Sequence, residues 1–264
     1  MNSDRVPAVL SIAGSDSGGG AGIQADLKAF ARCGVHGMTA ITAITAQNTV
    51  GVESVEAVSP KMVFDQIAAV GADIRIDAIK IGMLGSPEAV ESVFTALLLV
   101  YVQHAPVVID PVMVAESGAV LLDDDTREAL VGRLLPKSTV ATPNIPEARM
   151  LTGLGQGATQ EELARGVLEL GPEAVVVTGG HSEGLIDLFC DGKRVVEISG
   201  ERHPDGASHG SGCTHSSALA AFLAHGFEPL EAARKAREIA SEAVANGLRE
   251  IGHGPGPVDV FGLR

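Results

Sequence analysis

Residues 209–214, with the sequence HGSGCT, have the clearest chemical potential in the chain, and the small and apolar residues that follow them predict a helix. Glycines tolerate the backbone angles of a tight loop, and the first turn of a helix leaves backbone N–H groups without partners. The helix dipole adds roughly half a positive charge at the same end, so this loop predicts an anion site. Its residues are Gly210, Ser211, Gly212 and Cys213.

Cys213 lies in the field of that helix start, which favours a thiolate and makes this cysteine a candidate base. The competing interpretation of the segment is an ordinary glycine-capped loop before a buried helix. The rest of the chain decides between the two interpretations.

A second glycine-rich segment, residues 14–22 with the sequence GSDSGGGAG, lies between an apolar run and residues at helical spacing. It predicts a strand, a turn and a helix in succession. Its glycines do not follow the G-x-G-x-x-G spacing of a dinucleotide-binding turn, and no G-K-[ST] ends it as in a Walker A loop. We interpret it as a close approach of backbone to a compact ligand. Asp26, one helical turn inside, either belongs to that site or acts as a partner of the helix dipole.

Chemically useful side chains also follow other predicted strands. Gln47 presents an amide that both donates and accepts at the edge of a heterocycle, although such a residue also forms ordinary turns. Ligands of open parallel sheets bind beyond the carboxyl ends of the strands. We therefore expect Met83, Asp110 and Val112 to line one crevice.

Asn144 and Glu147 stand three residues apart at the end of a predicted strand, where a helix opens. Their oxygens suit a hydrated magnesium ion near triphosphate oxygens. The competing interpretation is a helix start with proline and an acidic first turn.

Composition restricts the class of protein. The chain has 264 residues, 45% of them hydrophobic, which predicts one large α/β domain over residues 1–264. The formal net charge of −14 excludes nucleic acid and anionic membranes as partners and points to small molecules. Three distant cysteines without a C-x-x-C pair fit a reducing cytoplasm. A polar N-terminus and short apolar runs predict a soluble protein.

Predicted strands and helices alternate along the chain, which indicates a mostly parallel central sheet with helices on both faces. The alternating residues 52–58 predict a half-exposed strand outside that sheet. The predicted strands are 8–13, 39–45, 52–58, 78–84, 107–109, 139–142, 174–178 and the hairpin 185–190 with 194–198. The predicted helices begin near 23, 60, 87, 126, 148, 159, 216 and 229. The helices that begin near 60, 87, 126, 148 and 229 are predicted to end near 70, 102, 135, 151 and 248.

Six motifs occur in a fixed order over almost the full length of the chain. They are IAGSD with GGGAGIQADLK at 12–28, AQNT at 46–49, KIGML at 80–84, DPVMV at 110–114, TPNIPEA at 142–148 and HGSGCT at 209–214. In this order they resemble the hydroxymethylpyrimidine/phosphomethylpyrimidine kinases, the thiamine-biosynthesis members of the ribokinase superfamily. Six ordered motifs are far more specific than any one of them, and they imply a ribokinase-like α/β fold.

The resemblance implies ATP-dependent phosphorylation of 4-amino-5-hydroxymethyl-2-methylpyrimidine and then of its monophosphate, with Mg²⁺, in a homodimer. It places Cys213 where sugar kinases of the superfamily carry an aspartate base, beside an anion hole formed by the amides of residues 210–213. The implied pyrimidine-binding residues are Gln47, Gly14, Asp26, Met83 and Val112. The implied nucleotide-binding residues are Asn144, Glu147, Thr178, Gly180 and His209, and the implied magnesium ligands are Asp110 and Glu147.

The chain departs from the family pattern in residues 202–208, where the family has an asparagine- and threonine-rich run, and at two single positions. Glu116 and Thr178 stand where the family commonly has lysines. Each of these two single departures removes a positive charge near the phosphates, which bears on nucleotide affinity and the second phosphorylation more than on the first. The alternative functions are a pyridoxal kinase, which uses the same cysteine-containing loop on a similar ring, and a non-catalytic pyrimidine-binding protein.

Overall fold

The structure is a computed structural model that describes residues 5–113, 122–180 and 185–263. Short runs rich in β-branched and apolar residues form its strands. In chain order these strands are β1 (Ala8–Ala13), β2 (His36–Ile41), β3 (Ala43–Gln47), β4 (Val52–Ala57), β5 (Ala78–Ile81), β6 (Val107–Ile109), β7 (Val140–Ala141), β8 (Ala174–Val177), β9 (Ile186–Cys190) and β10 (Val195–Ser199).

Eight of the described strands form one sheet in the order β10-β9-β8-β7-β6-β5-β1-β2. Neighbouring strands from β8 to β2 pair in parallel, whereas β9 pairs antiparallel with β8 and β10 with β9. The predicted mostly parallel sheet is confirmed. The segments that follow β1, β5, β6, β7 and β8 therefore lie side by side at one edge of the sheet.

Helices cover both faces of this sheet, as predicted. They are α1 (Gly22–Arg32), α2 (Pro60–Asp73), α3 (Pro87–Leu97), α4 (Asp124–Ala129), α5 (Ile145–Thr152), α6 (Gln160–Glu169), α7 (Ser211–Ala224) and α8 (Pro229–Ala245). Helices α2 to α6 pack on one face, and α1, α7 and α8 pack on the other. Described helices long and apolar enough to cross a membrane are absent.

The two faces are separated by the alternation of side chains along each strand. In β1, Leu10 and Ile12 pack toward the larger group of helices, whereas Val9 faces α7 and α8. Ser11 points to the same side as Val9 and donates a hydrogen bond to Asp26 of α1. Polar residues at alternate strand positions thus face α1 and α7.

The predicted strand 39–45 is two strands in the structure, because the chain leaves the main sheet at Thr42. The Thr42 N–H still donates to the carbonyl of Ala13, and its hydroxyl donates to the carbonyl of Met83 at 2.6 Å. From Ala43 onward the chain pairs with β4 instead. Pattern alone cannot separate the two strands, since both are apolar and β-branched.

Strands β3 and β4 form a two-stranded antiparallel sheet of their own, which we call the flap. The prediction of a half-exposed strand outside the main sheet is confirmed. Ile44 and Val55 remain exposed on the flap.

Helix boundaries also differ from the predictions at several points. The helix from Pro87 ends at Leu97 rather than near 102, and the last helix ends at Ala245 rather than near 248. The helix predicted to 135 becomes a π-helical turn at Leu130–Leu134 and a 3₁₀ turn at Leu135–Lys137, since Pro136 cannot donate the next α-helical hydrogen bond.

Candidate active site

A cavity of about 810 Å³ opens at the carboxyl edge of the parallel strands. It brings together residues from every motif that the sequence singled out. With the exception of Asp26, all predicted site residues line it: Gly14, Gln47, Met83, Asp110, Val112, Asn144, Glu147, Thr178, Gly180, His209, Gly210, Ser211, Gly212 and Cys213.

The anion loop, residues 209–213, enters α7 through a residue that must be glycine. Gly210 is the N-cap of α7 and has a φ of 84°, in the left-handed region. A Cβ at this position would lie 1.7 Å from the carbonyl oxygen of Gly20. Both the backbone angle and the close approach therefore exclude a side chain here.

The amides at the start of α7 are only partly free. The N–H groups of Gly212 and Cys213 have no backbone acceptor within the described residues, as expected for a first helical turn. The N–H of Ser211 instead donates to the carbonyl of Ser208 at 2.9 Å. The predicted anion site is therefore corrected at Ser211, whose amide is already used.

The predicted thiolate at Cys213 is wrong for the unliganded protein. Burial raises the pKa of the Cys213 thiol to about 12, and the carboxylates of Asp26 and Asp110 add to this effect. The ammonium of Lys80 acts in the opposite direction but does not outweigh them. The helix start is positive, yet the low polarity around the sulfur decides its protonation, so Cys213 is a thiol at neutral pH.

Asp26 lies beneath the cavity rather than in its lining, which corrects its predicted place in the pyrimidine pocket. It is fully buried and accepts hydrogen bonds from Lys80 at 2.8 Å, Ser217 at 2.7 Å and Ser11 at 2.5 Å. Lys80 is also fully buried, and its Nζ lies 2.9 Å from the position that a Cβ on Gly82 would take.

Lys80 is a residue to which sequence reasoning gave no role. Burial alone would lower its pKa, but the carboxylates of Asp26 and Asp110 hold the pKa above its ordinary value. The ammonium group is therefore charged, and it lines the cavity from below. The signal that could have found it is a lysine at an inward-facing position of a buried strand, where an unpaired charge is costly.

Asp110 and Glu147 form a pair of buried carboxyl groups in the cavity wall. Asp110 accepts a 2.8 Å hydrogen bond from Ser216, and Glu147 accepts one from the Asn144 N–H at 2.9 Å within a capping box. Burial raises the pKa of both groups, and the charge of Asp110 raises that of Glu147 further. Such a pair suits a divalent cation, which would stabilise both ionised forms.

Asp16 is a second residue that sequence reasoning quoted without assigning a role. Its carboxylate accepts backbone N–H groups of Gly18, Gly20 and Ala21 at 2.8–3.0 Å, and His209 Nε2 lies 3.2 Å away. Although burial raises its pKa, these hydrogen bonds hold the pKa of Asp16 below its usual value. The carboxylate thus fixes the glycine-rich turn.

Strand β3 contributes another part of the cavity wall. Gln47 lines the cavity, and its backbone is held by Ser17, whose hydroxyl donates to the Gln47 carbonyl and accepts the Gln47 N–H, both at 2.8 Å. A Cβ on Gly14 would lie 2.4 Å from Met83 Cε. Glycine at position 14 therefore makes room for the methionine side chain.

The far end of the cavity lies beyond β7 and β8. Thr178 forms an isolated parallel bridge with Asn144, which joins the ends of these strands. Sequence reasoning missed three polar residues that line this end: Asp187, His215 and Arg237. Glu116 and the histidine at 181 lie outside the described residues.

The fold and the site together define a class of protein. A mostly parallel sheet covered on both faces, with a glycine-capped helix start facing a cavity beyond the strand ends, is the architecture of the ribokinase-like kinases. This is the fold that the motifs imply.

Comparisons with known proteins agree. A family model described as phosphomethylpyrimidine kinase matches residues 16–259. The hydroxymethylpyrimidine/phosphomethylpyrimidine kinase of Rhizobium meliloti is 46% identical over 258 residues, covering 96% of each chain. The thiamine biosynthesis bifunctional protein ThiED of Geobacter sulfurreducens is 41% identical over 256 residues, covering 96% of this chain and 52% of that protein. The chain belongs to the phosphomethylpyrimidine kinase family.

Solved structures give the same fold. An ADP complex of Bacillus subtilis pyridoxal kinase matches with a TM-score of 0.89 and 35% identity, over 98% of this chain and 99% of that one. The phosphomethylpyrimidine kinase of Clostridium difficile 630 matches with a TM-score of 0.78 and 39% identity, over 91% and 100% of the chains.

The buried pair of Lys80 and Asp26 generates a stability prediction. Lys80→Met leaves the Asp26 carboxylate buried without its cation and should lower the free energy of unfolding by about 3–5 kcal/mol. The double variant Lys80→Met/Asp26→Asn removes both charges and should lower the free energy of unfolding clearly less than Lys80→Met does. Urea unfolding measures both values, and Lys61→Met, which breaks an exposed ion pair, is the control with little change. Wild-type stability in Lys80→Met would contradict the prediction.

Proposed function

We propose that the protein uses ATP to phosphorylate the hydroxymethyl group of 4-amino-5-hydroxymethyl-2-methylpyrimidine, and then phosphorylates the monophosphate to the pyrophosphate, in thiamine biosynthesis. The observation that carries this proposal is that one cavity contains both Gln47 and the free amides of Gly212 and Cys213. A heterocycle and a phosphoryl group bound there would be neighbours. The family to which the chain belongs supports the same chemistry.

The pyrimidine binds at the β3 side of the cavity in this proposal. Gln47 hydrogen-bonds the aminopyrimidine edge, since its amide both donates and accepts. Gly14, Met83 and Val112 complete the apolar wall of the pocket around the flat pyrimidine ring. Asp26 supports this pocket from below, through Lys80, rather than by contact.

The nucleotide binds across the anion loop and the far end of the cavity. Asn144, Glu147, Thr178, Gly180 and His209 border it. In the transfer step, the substrate hydroxyl oxygen forms a bond to the γ-phosphorus, the bond from that phosphorus to the β–γ bridging oxygen breaks, and ADP leaves. The free amides at the start of α7 stabilise negative charge on the transferred group.

The hydroxyl proton passes to Cys213 Sγ in this proposal. Because Cys213 is a thiol at neutral pH, it first has to release its own proton to solvent water, and the nearby ammonium of Lys80 favours the resulting thiolate. Positioning and charge stabilisation supply most of the acceleration in phosphoryl transfer.

Asp110 and Glu147 would hold Mg²⁺. The raised pKa values of this buried pair support the assignment, since a cation relieves the repulsion between them. The ion would neutralise charge on the triphosphate. Mg²⁺ is commonly held by one or two carboxylates together with substrate phosphates, so two protein ligands suffice.

We further propose a cytoplasmic homodimer, which the flap supports. Ile44, Val50 and Val55 on and beside the flap are 50–63% exposed. Ile44 and Val55 lie on opposite faces of this two-stranded sheet, since Val55 pairs with Thr45, so apolar surface on both faces is available to a second copy of the chain. Three free cysteines fit a reducing compartment such as the cytoplasm.

The function is tested by a two-step product assay. The protein, Mg²⁺ and ATP are incubated with the pyrimidine alcohol. The monophosphate and the pyrophosphate are then separated, and the amount of each is measured over time. We expect both products, the monophosphate first. Pyridoxal serves as the competing alcohol, because the matched pyridoxal kinase structure has the higher TM-score of the two reported. If kcat/KM is higher for pyridoxal than for the pyrimidine alcohol, pyridoxal is the better substrate and the pyrimidine assignment is wrong. If neither alcohol gives a product, the proposed kinase activity is contradicted.

The role of Cys213 predicts a pH dependence. With the pKa of the thiol near 12, the thiolate fraction rises about tenfold per pH unit through neutral pH, so kcat should rise from pH 6 to 9. Cys213→Ala should lower kcat by about 10²–10⁴-fold, flatten this rise and leave the pyrimidine Kd nearly unchanged. Cys33→Ala, outside the cavity, is the matched control. An equal loss of kcat and affinity would show that the thiol is structural.

The homodimer is tested by sedimentation velocity. Val55→Glu places a charge at an exposed apolar position of the flap and should shift the protein toward the monomer. Met62→Glu changes an equally exposed apolar residue on α2 and should not. A monomeric wild-type protein at micromolar concentration would contradict the proposal.

A further inference from the structure

The glycine loop (residues 14–22) and the anion loop touch each other directly. A Cβ on Gly20 would lie 2.2 Å from His209 Cδ2, and the carbonyl of Gly20 packs on Gly210. The Asp16 carboxylate joins the same two loops, since one of its oxygens accepts the Gly20 N–H at 3.0 Å and lies 3.2 Å from His209 Nε2. The position of one loop therefore restricts the position of the other.

The glycine loop is also joined to the flap. Ser17 exchanges two hydrogen bonds with the backbone of Gln47. Ser15 makes the equivalent pair with Thr45, accepting its N–H through Oγ at 3.1 Å and its hydroxyl through the carbonyl oxygen at 2.9 Å. Asp16 stands between these two residues, so β3 is connected through it to the anion loop.

A second connection runs through the C-terminal tail (residues 252–258). The N–H of Gly254 donates to Thr49 Oγ1 at 3.2 Å, immediately after β3. The N–H of Val258 donates to the carbonyl of His209 at 3.1 Å. The tail thus reaches from the turn of the flap to the anion loop without passing through the main sheet.

We propose that Asp16 is a positioning residue that couples the alcohol site at β3 to the anion loop, so that the alcohol and the nucleotide bind synergistically. The inference rests on the proposed function, because it takes its two ligands from it. It concerns how the two halves of the site act on each other, and no contact of Asp16 with either ligand is required.

The flap is the element through which this coupling acts. In the described chain it shares no strand pairing with the main sheet, so the serine contacts, the tail and the chain itself hold it. An alcohol bound against Gln47 would restrict β3, and through Ser17 and Asp16 it would restrict the anion loop. A nucleotide then binds to a loop that is already ordered, which is positive coupling, and the effect is reciprocal.

The test measures binding of the β,γ-methylene analogue of ATP by calorimetry, with Mg²⁺, in the absence and presence of saturating pyrimidine alcohol. The ratio of the two Kd values is the coupling factor. We expect a factor of at least about 5 in the wild-type protein, within the ordinary range for coupled sites. In Asp16→Asn we expect a factor below about 2, because the NH₂ group that replaces one carboxylate oxygen cannot accept, so either the Gly18 N–H or the Gly20 and Ala21 N–H groups lose their acceptor.

Ser17→Ala is the second variant, and it keeps the test decisive if Asp16→Asn does not fold. Ser17 is exposed, and its removal breaks both hydrogen bonds to Gln47 while the donors to Asp16 stay in place. We expect a reduced coupling factor in this variant also. Asp191→Asn is the matched control, since Asp191 likewise accepts backbone N–H groups, but in the β9–β10 turn away from the cavity. Its coupling factor should equal that of the wild type.

A wild-type factor near 1, or unchanged factors in both Asp16→Asn and Ser17→Ala, would overturn the inference. If Asp16 has only a structural role, Asp16→Asn weakens the binding of each ligand measured alone and leaves the coupling factor unchanged. The proposed function is judged separately, by product formation in the wild-type protein. Product without synergy removes only the coupling, whereas no product with the alcohol removes the function.

Discussion

The site depends on the buried ion pair between Lys80 and Asp26. Asp26 on α1 also accepts hydrogen bonds from the hydroxyl groups of Ser11 on β1 and Ser217 on α7. Because Lys80 belongs to β5, one carboxylate joins two strands and two helices. A buried charge without a partner costs several kcal/mol, which leaves these four elements only one favourable arrangement. The start of α7 is thereby held at the sheet edge where the strands end.

The Lys80–Asp26 pair also bears on how an acidic protein binds an anionic nucleotide. A chain with a net charge of −14 has to receive a triphosphate, and its cavity wall itself contains Asp110 and Glu147. Positive potential is supplied locally, by the Lys80 ammonium below the cavity and by the free amides at the start of α7. Both sources are built into buried structure, so neither depends on mobile surface side chains that salt would screen.

The sequence was sufficient for features that are local. Strand and helix order, the helix start after Asn144, and the glycine loops follow from periodicity and backbone preference, and the ordered motifs placed nearly all site residues at one edge. What the sequence could not show depends on which groups become hydrogen-bond partners once the chain is folded. The break at Thr42 follows from a hydrogen bond to Met83, the amide of Ser211 is used because of the loop before it, and Asp26 left the pocket because it pairs with Lys80.

Helix α7 shows why polar residues belong in the middle of this fold. His215, Ser216 and Ser217 are buried and consecutive, so they point about 100° apart around the helix. Each faces a carboxylate on a different element; these are Asp187, Asp110 and Asp26. The alanines and leucines that follow would pack almost as well if α7 slid along the sheet, since apolar contacts are not directional. Ser216 and Ser217 donate hydrogen bonds of 2.8 and 2.7 Å in different directions, whereas His215 Nε2 lies 3.8 Å from Asp187. The two hydrogen bonds form in one register only, and that register places the Gly212 and Cys213 amides at the cavity.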